Sequence, residues 1–203
     1  MYCLLKNNSL LKKVLLPAIY TIFCLAFTPF AYSQVNPTPA AERMQSMEQR
    51  RKLESNSLLK EVPFRNIGPS IMSGRVVDID ANPDDPTEFY VAYATGGLWH
   101  TTNNGQSFTP IMDSLDMLFI GDIAVNWATK TIWLGSGEVN SSRSSYAGVG
   151  MYKSNNNGKT WEYLGLPESH HIGKIQLHPT DNNIAWVAAL GHLYSANKER
   201  GVY

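Results

Sequence analysis

The chain has 203 residues, and 17 basic residues balance 17 acidic ones to give a formal net charge of zero. Three lysines and no acid lie within the first 33 residues, so residues 34–203 carry 14 basic and 17 acidic side chains. This slightly acidic balance excludes the basic surface that a nucleic-acid partner requires. Both cysteines, Cys3 and Cys24, lie in the same first segment, so the remaining chain can form neither a disulfide nor a thiolate metal site.

Residues 1–33 are predicted to be a signal peptide. Lysines precede an almost wholly apolar run from Val14 to Phe30, and Ala31-Tyr32-Ser33 places small residues at the two positions that a signal peptidase reads. Cleavage near Ser33/Gln34 would leave a secreted, periplasmic or cell-surface protein with no membrane segment. The alternative is a retained anchor, because an apolar run of about 17 residues is near the lower limit for a membrane span.

Residues 34–61 are predicted to form a linker and a helix. Thr38 and Pro39 suit the N-cap and the first helical position. Residues 39–60 are rich in good helix formers, but their apolar members form only a partial stripe. We therefore expect an exposed helix that docks weakly or acts as a spacer.

Residues 62–203 are predicted to be all-β. Short apolar or alternating runs recur about every 8–12 residues between Gly, Asn, Asp and Pro, a spacing typical of this class. The predicted strands are Val76–Ile79, Glu88–Ala92, Leu98–Thr102, Phe119–Val125, Thr131–Gly135, Gly150–Ser154, Trp161–Leu164, Gly173–Leu177 and Ile184–Ala189.

A motif of the form hydroxyl-x-Asn-x-Gly-x-hydroxyl-aromatic occurs twice. Its copies are Thr101, Asn103, Gly105, Ser107 and Phe108, and then Ser154, Asn156, Gly158, Thr160 and Trp161. In each copy the Asn can accept backbone N–H groups, the Gly can supply a positive φ, and the hydroxyls can pin the turn. The copies lie 53 residues apart, and Gly201-Val202-Tyr203 repeats the lead-in a third time, so we expect the chain to stop within a repeat. Four strands in about 50 residues make one propeller blade.

This motif resembles the Asp-box of the bacterial neuraminidase repeat, with Asn103 and Asn156 where the Asp usually stands. Residues 64–203 also resemble the start of exported bacterial proteins that are described as sortilin N-terminal domain-like or as glycosyl hydrolases. Gly96-Gly97-Leu98-Trp99 and Gly135-Ser136-Gly137-Glu138 are among the segments that carry this likeness. The resemblance implies an incomplete β-propeller of about three four-stranded blades, completed by further blades of a longer chain.

The resemblance leaves two functions open. One is a module that binds a protein, peptide or glycan. The other is a sialidase- or xyloglucanase-like glycoside hydrolase whose catalytic acids lie mainly beyond residue 203. In xyloglucanase-like propellers a catalytic Asp precedes the Gly-Gly-aromatic segment, where this chain has Ala94. Glu138 is the weak catalytic candidate, and its structural alternative is to cap its loop or to pair with Arg143.

The binding candidates are Arg65, Arg75, Glu138 and Arg143. Arg65 and Arg75 could line the central channel and bind an anion, or form structural salt bridges. His170 and His171 are poor joint metal ligands, because neighbouring residues of a strand point to opposite faces. We predict no metal and no cofactor, and we expect Asp113 and Asp116 to be solvated.

Overall fold

The computed structural model describes residues 20–21, 36–63, 74–141 and 145–203. The chain divides into two units, Met1–Val35 and Asn36–Tyr203. Apart from residues 20–21, which are helical, the predicted signal peptide and its cleavage position lie outside the described residues. Within the described ranges, no helix combines the length and the apolar character that crossing a membrane requires.

The second unit begins with one helix, α1, at Ala40–Ser55. The predicted helix ran on to residue 60, but Ser55, Asn56 and Ser57 bond to the backbone locally and end it early. The predicted cap is also wrong: Pro39, not Thr38, occupies the N-cap and provides no side-chain cap. The N–H of Ala40 instead donates to Glu168 Oε1 at 2.9 Å, far along the chain.

Helix α1 is held more firmly than its weak apolar stripe predicts. Arg43 donates to the backbone oxygen of Gly148, and Met47 packs against a buried core. Arg51 pairs with Asp116 at 2.6 Å, and the Asp116 side chain is only 13% exposed. The expectation of a solvated Asp116 is therefore wrong, because the helix covers it.

Eleven strands form three antiparallel sheets in the described residues. The first sheet has the order β1-β2-β3-β4, with strands Val76–Ala81, Phe89–Tyr93, Gly97–Thr101 and Thr109–Pro110. The second has the order β5-β6-β7-β8, with strands Ile120–Asn126, Thr131–Ser136, Met151–Ser154 and Glu162–Gly165. The third has the order β11-β10-β9, where β9 is Ile172–Leu177, β10 is Ala185–Ala189 and β11 is Gly201–Val202. A short 3-10 helix, Pro167–Ser169, precedes β9.

The first strands of the three sheets lie side by side and run in the same direction. Asp78 on β1 accepts the N–H of Ile123 on β5 at 3.3 Å, and Asp80 accepts that of Val125 at 2.8 Å. Consecutive antiparallel sheets whose first strands share one axis are the blades of a β-propeller. The prediction of an all-β, incomplete β-propeller preceded by a short helix is confirmed.

The nine predicted strands are all present, and their ends are unchanged or shifted by one or two residues. Two further strands, β4 and β11, pair over only two residues each, which is too short for an alternating pattern to show in the sequence. Strand β11 pairs with β10 at Ala188 and Ala189, as β3 pairs with β2 in the first blade.

Each first strand carries one β-bulge. By sequence alone, the segments that begin at Gly74, Gly121 and Gly173 look like three copies of one strand. The pairing registers instead make Val77, Gly121 and Gly173 the equivalent, bulged residues, so the alignment at Gly74 is wrong. The residue after each bulge is Asp78, Asp122 and Lys174, respectively. Two acids and one cation therefore occupy equivalent positions on neighbouring strands.

Two cores lie on opposite faces of the middle blade. Ile123, Ile132 and Leu134 face the first blade, and Ala124 and Trp133 face the third. This alternation is the period of two that a strand imposes. Because both faces are covered, every residue of β6 is buried.

Candidate functional site

The sheet topology gathers five connections at one end of the blades, which we call the upper face. These are the β2–β3 turn (residues 94–96), the described parts of the β6–β7 turn (137–141 and 145–150) and the β10–β11 turn (190–200). The β4–β5 connection (111–119) and the β8–β9 connection (166–171) join them. They meet because the strands alternate in direction within each sheet and β1, β5 and β9 run the same way. The start of β1 brings Arg75 to the same end.

Glu138 and Arg75 form an ion pair at the upper face. The Glu138 side chain is fully buried, and its Oε2 lies 3.0 Å from Nη2 of Arg75, whose side chain is 41% exposed. Glu138 Oε1 accepts the N–H of Asn140 at 3.0 Å, which caps the β6–β7 loop. A buried carboxylate requires such partners. The pair fixes the loop to the first strand of the neighbouring blade.

An aromatic pair lies beside this ion pair. Tyr146 and Phe119 stack with ring centroids 4.7 Å apart and planes inclined by 18°. Backbone bonds place them, since Glu138 donates to Tyr146 O at 3.2 Å and Gly137 donates to Phe119 O at 2.9 Å. Tyr146 is 49% exposed. The upper face thus presents an open aromatic ring on a braced loop.

The other two predicted binding residues, Arg65 and Arg143, lie outside the described residues. Ala94 is buried in the β2–β3 turn, where its N–H bonds to Arg75 O and its oxygen accepts from Ile120 N. Asp78, Asp80 and Asp122 lie near Lys174 on the first strands of the three sheets, and this set carries an excess of negative charge.

Both copies of the repeated motif lie at the opposite end, the lower face, in the β3–β4 and β7–β8 turns. They make the same bonds. Oδ1 of Asn103 accepts the N–H of Ser107 at 3.0 Å, and Oδ1 of Asn156 accepts that of Thr160 at 2.9 Å. The first hydroxyl of each motif, on Thr101 or Ser154, accepts the N–H of Gly105 at 3.0 Å or of Gly158 at 2.9 Å. Both glycines have φ of +78°.

The aromatic residues that end the two motifs anchor the turns. Phe108 packs edge-on against Phe89, with ring centroids 6.0 Å apart. Trp161 Nε1 donates to the oxygen of Ile111, a residue of the preceding blade connection, at 3.1 Å. The bonds of these turns join motif residues to one another and to neighbouring strands and connections, which is a structural role.

A second cluster at the upper face was missed by the sequence analysis. Glu168, His170 and His192 lie together, with one potential ligand atom from each within 4.8 Å of the others. Arg43 of α1 reaches into this cluster, with Nη2 at 3.0 Å from His170 Nε2. Glu168 and His170 are two residues apart, but His192 lies 22 residues and Arg43 127 residues from His170, so no local spacing pattern reveals the whole cluster.

His170 is neutral in this setting. Burial, the Arg43 charge and His192 lower its pKa to about 4. Its backbone, with φ of +53°, turns the chain between the 3-10 helix and β9. His171 is the next residue, and its ring centroid lies 6.3 Å from that of His170. The turn directs His170 towards His192, not into a shared site with His171.

Comparisons with known proteins identify no family for this chain. No protein-family model matches it, and no curated protein does. Among solved structures, an ancestral GH74 enzyme is similar at 22% identity with a TM-score of 0.48 over 61% of this chain. The chain spans only 14% of the length of that enzyme. Identity at this level bears on the fold alone, and the three sheets of this chain are themselves the evidence for the propeller.

Proposed function

We propose that this propeller segment is a ligand-binding module that engages a protein, peptide or glycan through its upper face. The observation that carries the proposal is the half-exposed Tyr146. Its ring stacks on Phe119, and its loop is held by the ion pair between the buried Glu138 and Arg75. Tyr and Arg are the side chains that most often dominate binding energy at recognition surfaces. An exported or surface location, proposed from residues 1–33, fits a recognition role.

The bracing of the loop favours binding because it reduces the ordering cost of association. The β6–β7 loop is tied by two backbone bonds and by the Glu138 carboxylate. A ligand that stacks on Tyr146 therefore meets a ring that is already positioned.

The state of Glu138 favours binding over hydrolysis for this part of the chain. A glycosidase acid must reach the glycosidic oxygen or the anomeric carbon. Glu138 is inaccessible, and its two oxygens are engaged by Asn140 and Arg75. It acts here as a positioning residue for the loop.

Binding of the protein to a glycan array and a displayed peptide library tests the proposal, with Tyr146→Ala as the variant. The expected loss of affinity is about tenfold or more for whichever ligand the wild type captures, in line with about 1–2 kcal/mol for an exposed aromatic contact. The matched control is Lys159→Ala in the exposed turn at the lower face, which should bind like the wild type.

Undiminished binding by Tyr146→Ala would refute this surface as the site.

A parallel assay on polysaccharides and sialosides tests the alternative function, glycoside hydrolysis. Turnover that disappears in Glu138→Gln would establish hydrolysis and contradict a purely binding role.

A further inference from the structure

We propose that Glu168, His170 and His192 form a binding site for a divalent transition-metal ion such as Zn²⁺. They supply one carboxylate oxygen and two imidazole nitrogens within 4.8 Å of one another. Two His and one carboxylate are a known zinc donor set that leaves a coordination position open, and imidazole suits Zn²⁺ and its neighbours in the periodic table. This site is independent of the ligand-binding proposal for Tyr146.

The position of Arg43 shows that two of these donors, Glu168 and His170, already converge on a cation. Its Nη2 lies 3.0 Å from His170 Nε2 and 3.5 Å from Glu168 Oε2. Because a guanidinium can only donate, His170 must present the lone pair of Nε2 towards it. That lone pair is the one that a metal ion would use. The guanidinium therefore occupies the position of the metal in the form described here.

The surroundings of His192 match those of a metal ligand. Its Nδ1 lies 3.0 Å from Ser195 Oγ. A hydrogen bond to one ring nitrogen fixes the tautomer and orientation of a ligating imidazole. The His170 and His192 rings stand edge to face, with centroids 4.2 Å apart and planes inclined by 76°. Two imidazoles in this arrangement can approach one ion from different directions.

Metal and Arg43 would exclude each other, because both are cations that use the same lone pairs. Arg43 is also held by the Pro167 oxygen at 3.1 Å and by the oxygen of Gly148. Loading the site therefore requires that the side chain withdraw. We expect the wild-type protein to bind Zn²⁺ weakly and a variant without the charge to bind it more tightly.

The test is titration of the whole chain with Co²⁺, read by visible absorption, followed by displacement with Zn²⁺. Arg43→Met removes the charge and keeps an unbranched side chain close to the length of the arginine stem, and it should tighten binding by about tenfold or more. In that background His170→Ala and Glu168→Gln should each weaken binding by about tenfold or more. Arg51→Met, on the same helix but paired with Asp116, and His178→Ala are matched controls that should leave affinity unchanged.

Thermal unfolding verifies that each variant is folded. His170 is almost fully buried, so the more exposed Glu168 and His192 keep the test decisive if His170→Ala does not fold. The proposal is overturned if neither the wild type nor Arg43→Met binds one equivalent of Co²⁺ or Zn²⁺, or if binding survives loss of the ligands.

Discussion

At the scale of single residues, the motif asparagines are the most informative side chains. Asn156 Oδ1 accepts the Thr160 N–H and the Ser154 hydroxyl, and its Nδ2 donates to Thr160 Oγ1 at 2.7 Å. An aspartate would keep both acceptor bonds, and the Thr160 hydroxyl could rotate to donate to it. Either residue therefore satisfies the turn, whereas an apolar side chain removes the acceptor of the Thr160 N–H and of the Ser154 hydroxyl.

Asn156→Ala should lower the free energy of unfolding by about 1–2 kcal/mol, because the turn loses its bonds to backbone and hydroxyl groups. Asn156→Asp should stay within about 0.5 kcal/mol of the wild type. Urea unfolding of the three proteins provides the measurement. The control is Asn155→Ala, at the neighbouring exposed position of the same turn. Equal losses for Ala and Asp would mean that the amide nitrogen, not the oxygen, stabilises the turn.

At the scale of elements, neighbouring blades are joined by carboxylates on their first strands. Asp122 of β5 accepts the Ile175 N–H at 2.7 Å and the Lys174 ammonium at 3.0 Å. Asp78 of β1 makes the equivalent bond to Ile123 and lies 3.8 Å from the same ammonium. Burial raises the pKa of Asp122 to about 6. The Asp122 carboxylate therefore links β5 to β9, two strands that belong to different sheets.

The raised pKa of Asp122 predicts a pH-dependent stability. The folded state binds the proton of the Asp122 carboxyl group more tightly than the unfolded state does. The stability that the protonated carboxyl group contributes is therefore present below about pH 4 and is lost as the pH rises through about 6. Relative to Asp122→Asn, whose side chain cannot titrate, the wild type should lose roughly 1–3 kcal/mol of its free energy of unfolding between about pH 4 and pH 7. Urea unfolding at several pH values measures this difference. Asp84→Asn, on an exposed turn, is the control, and a pH-independent difference for Asp122→Asn would refute the prediction.

At the scale of the whole molecule, the middle and third blades approach one another closely at Gly121. A Cβ at this position would lie 2.0 Å from the Ile172 oxygen and 2.4 Å from the Gly137 oxygen, both backbone atoms. Neither can move without separating the middle blade from the third or displacing the β6–β7 loop. The equivalent Gly173 instead faces the flexible side chain of Leu190. Close packing between these two blades thus requires a glycine at position 121.

Gly121→Ala should lower the free energy of unfolding by about 3 kcal/mol or more, because a backbone clash cannot be relieved by a rotamer change. Gly201→Ala is the matched control, since its Cβ would meet only the Tyr203 ring at 4.0 Å. Its effect should stay within about 1 kcal/mol. Chemical denaturation provides both values. A Gly121→Ala protein as stable as the control would contradict this prediction, because it would show that the blades can separate slightly without loss of stability.

Much of the fold was predictable because its signals are local. Alternation placed the longer strands, and the repeated turn set the length of a blade. The β-bulges were not predictable, because an extra residue shows only when the partner strand is known, and the alignment of Gly74 with Gly121 was wrong for that reason. The strength with which α1 docks was not predicted, because Arg43, Arg50 and Arg51 add polar contacts to the partial apolar stripe.

The all-β class, the blade repeat and the residues of the two Asn-Gly turns can be read from the amino-acid sequence, because each depends on neighbours within a few positions. The chemistry of the upper face emerges only when the elements pack. Glu138 pairs with Arg75 across two blades, and Arg43 meets His170 across 127 residues of chain. Such contacts arise when blades and helix pack, and the chain carries no local pattern that encodes which distant partner a buried charge will find.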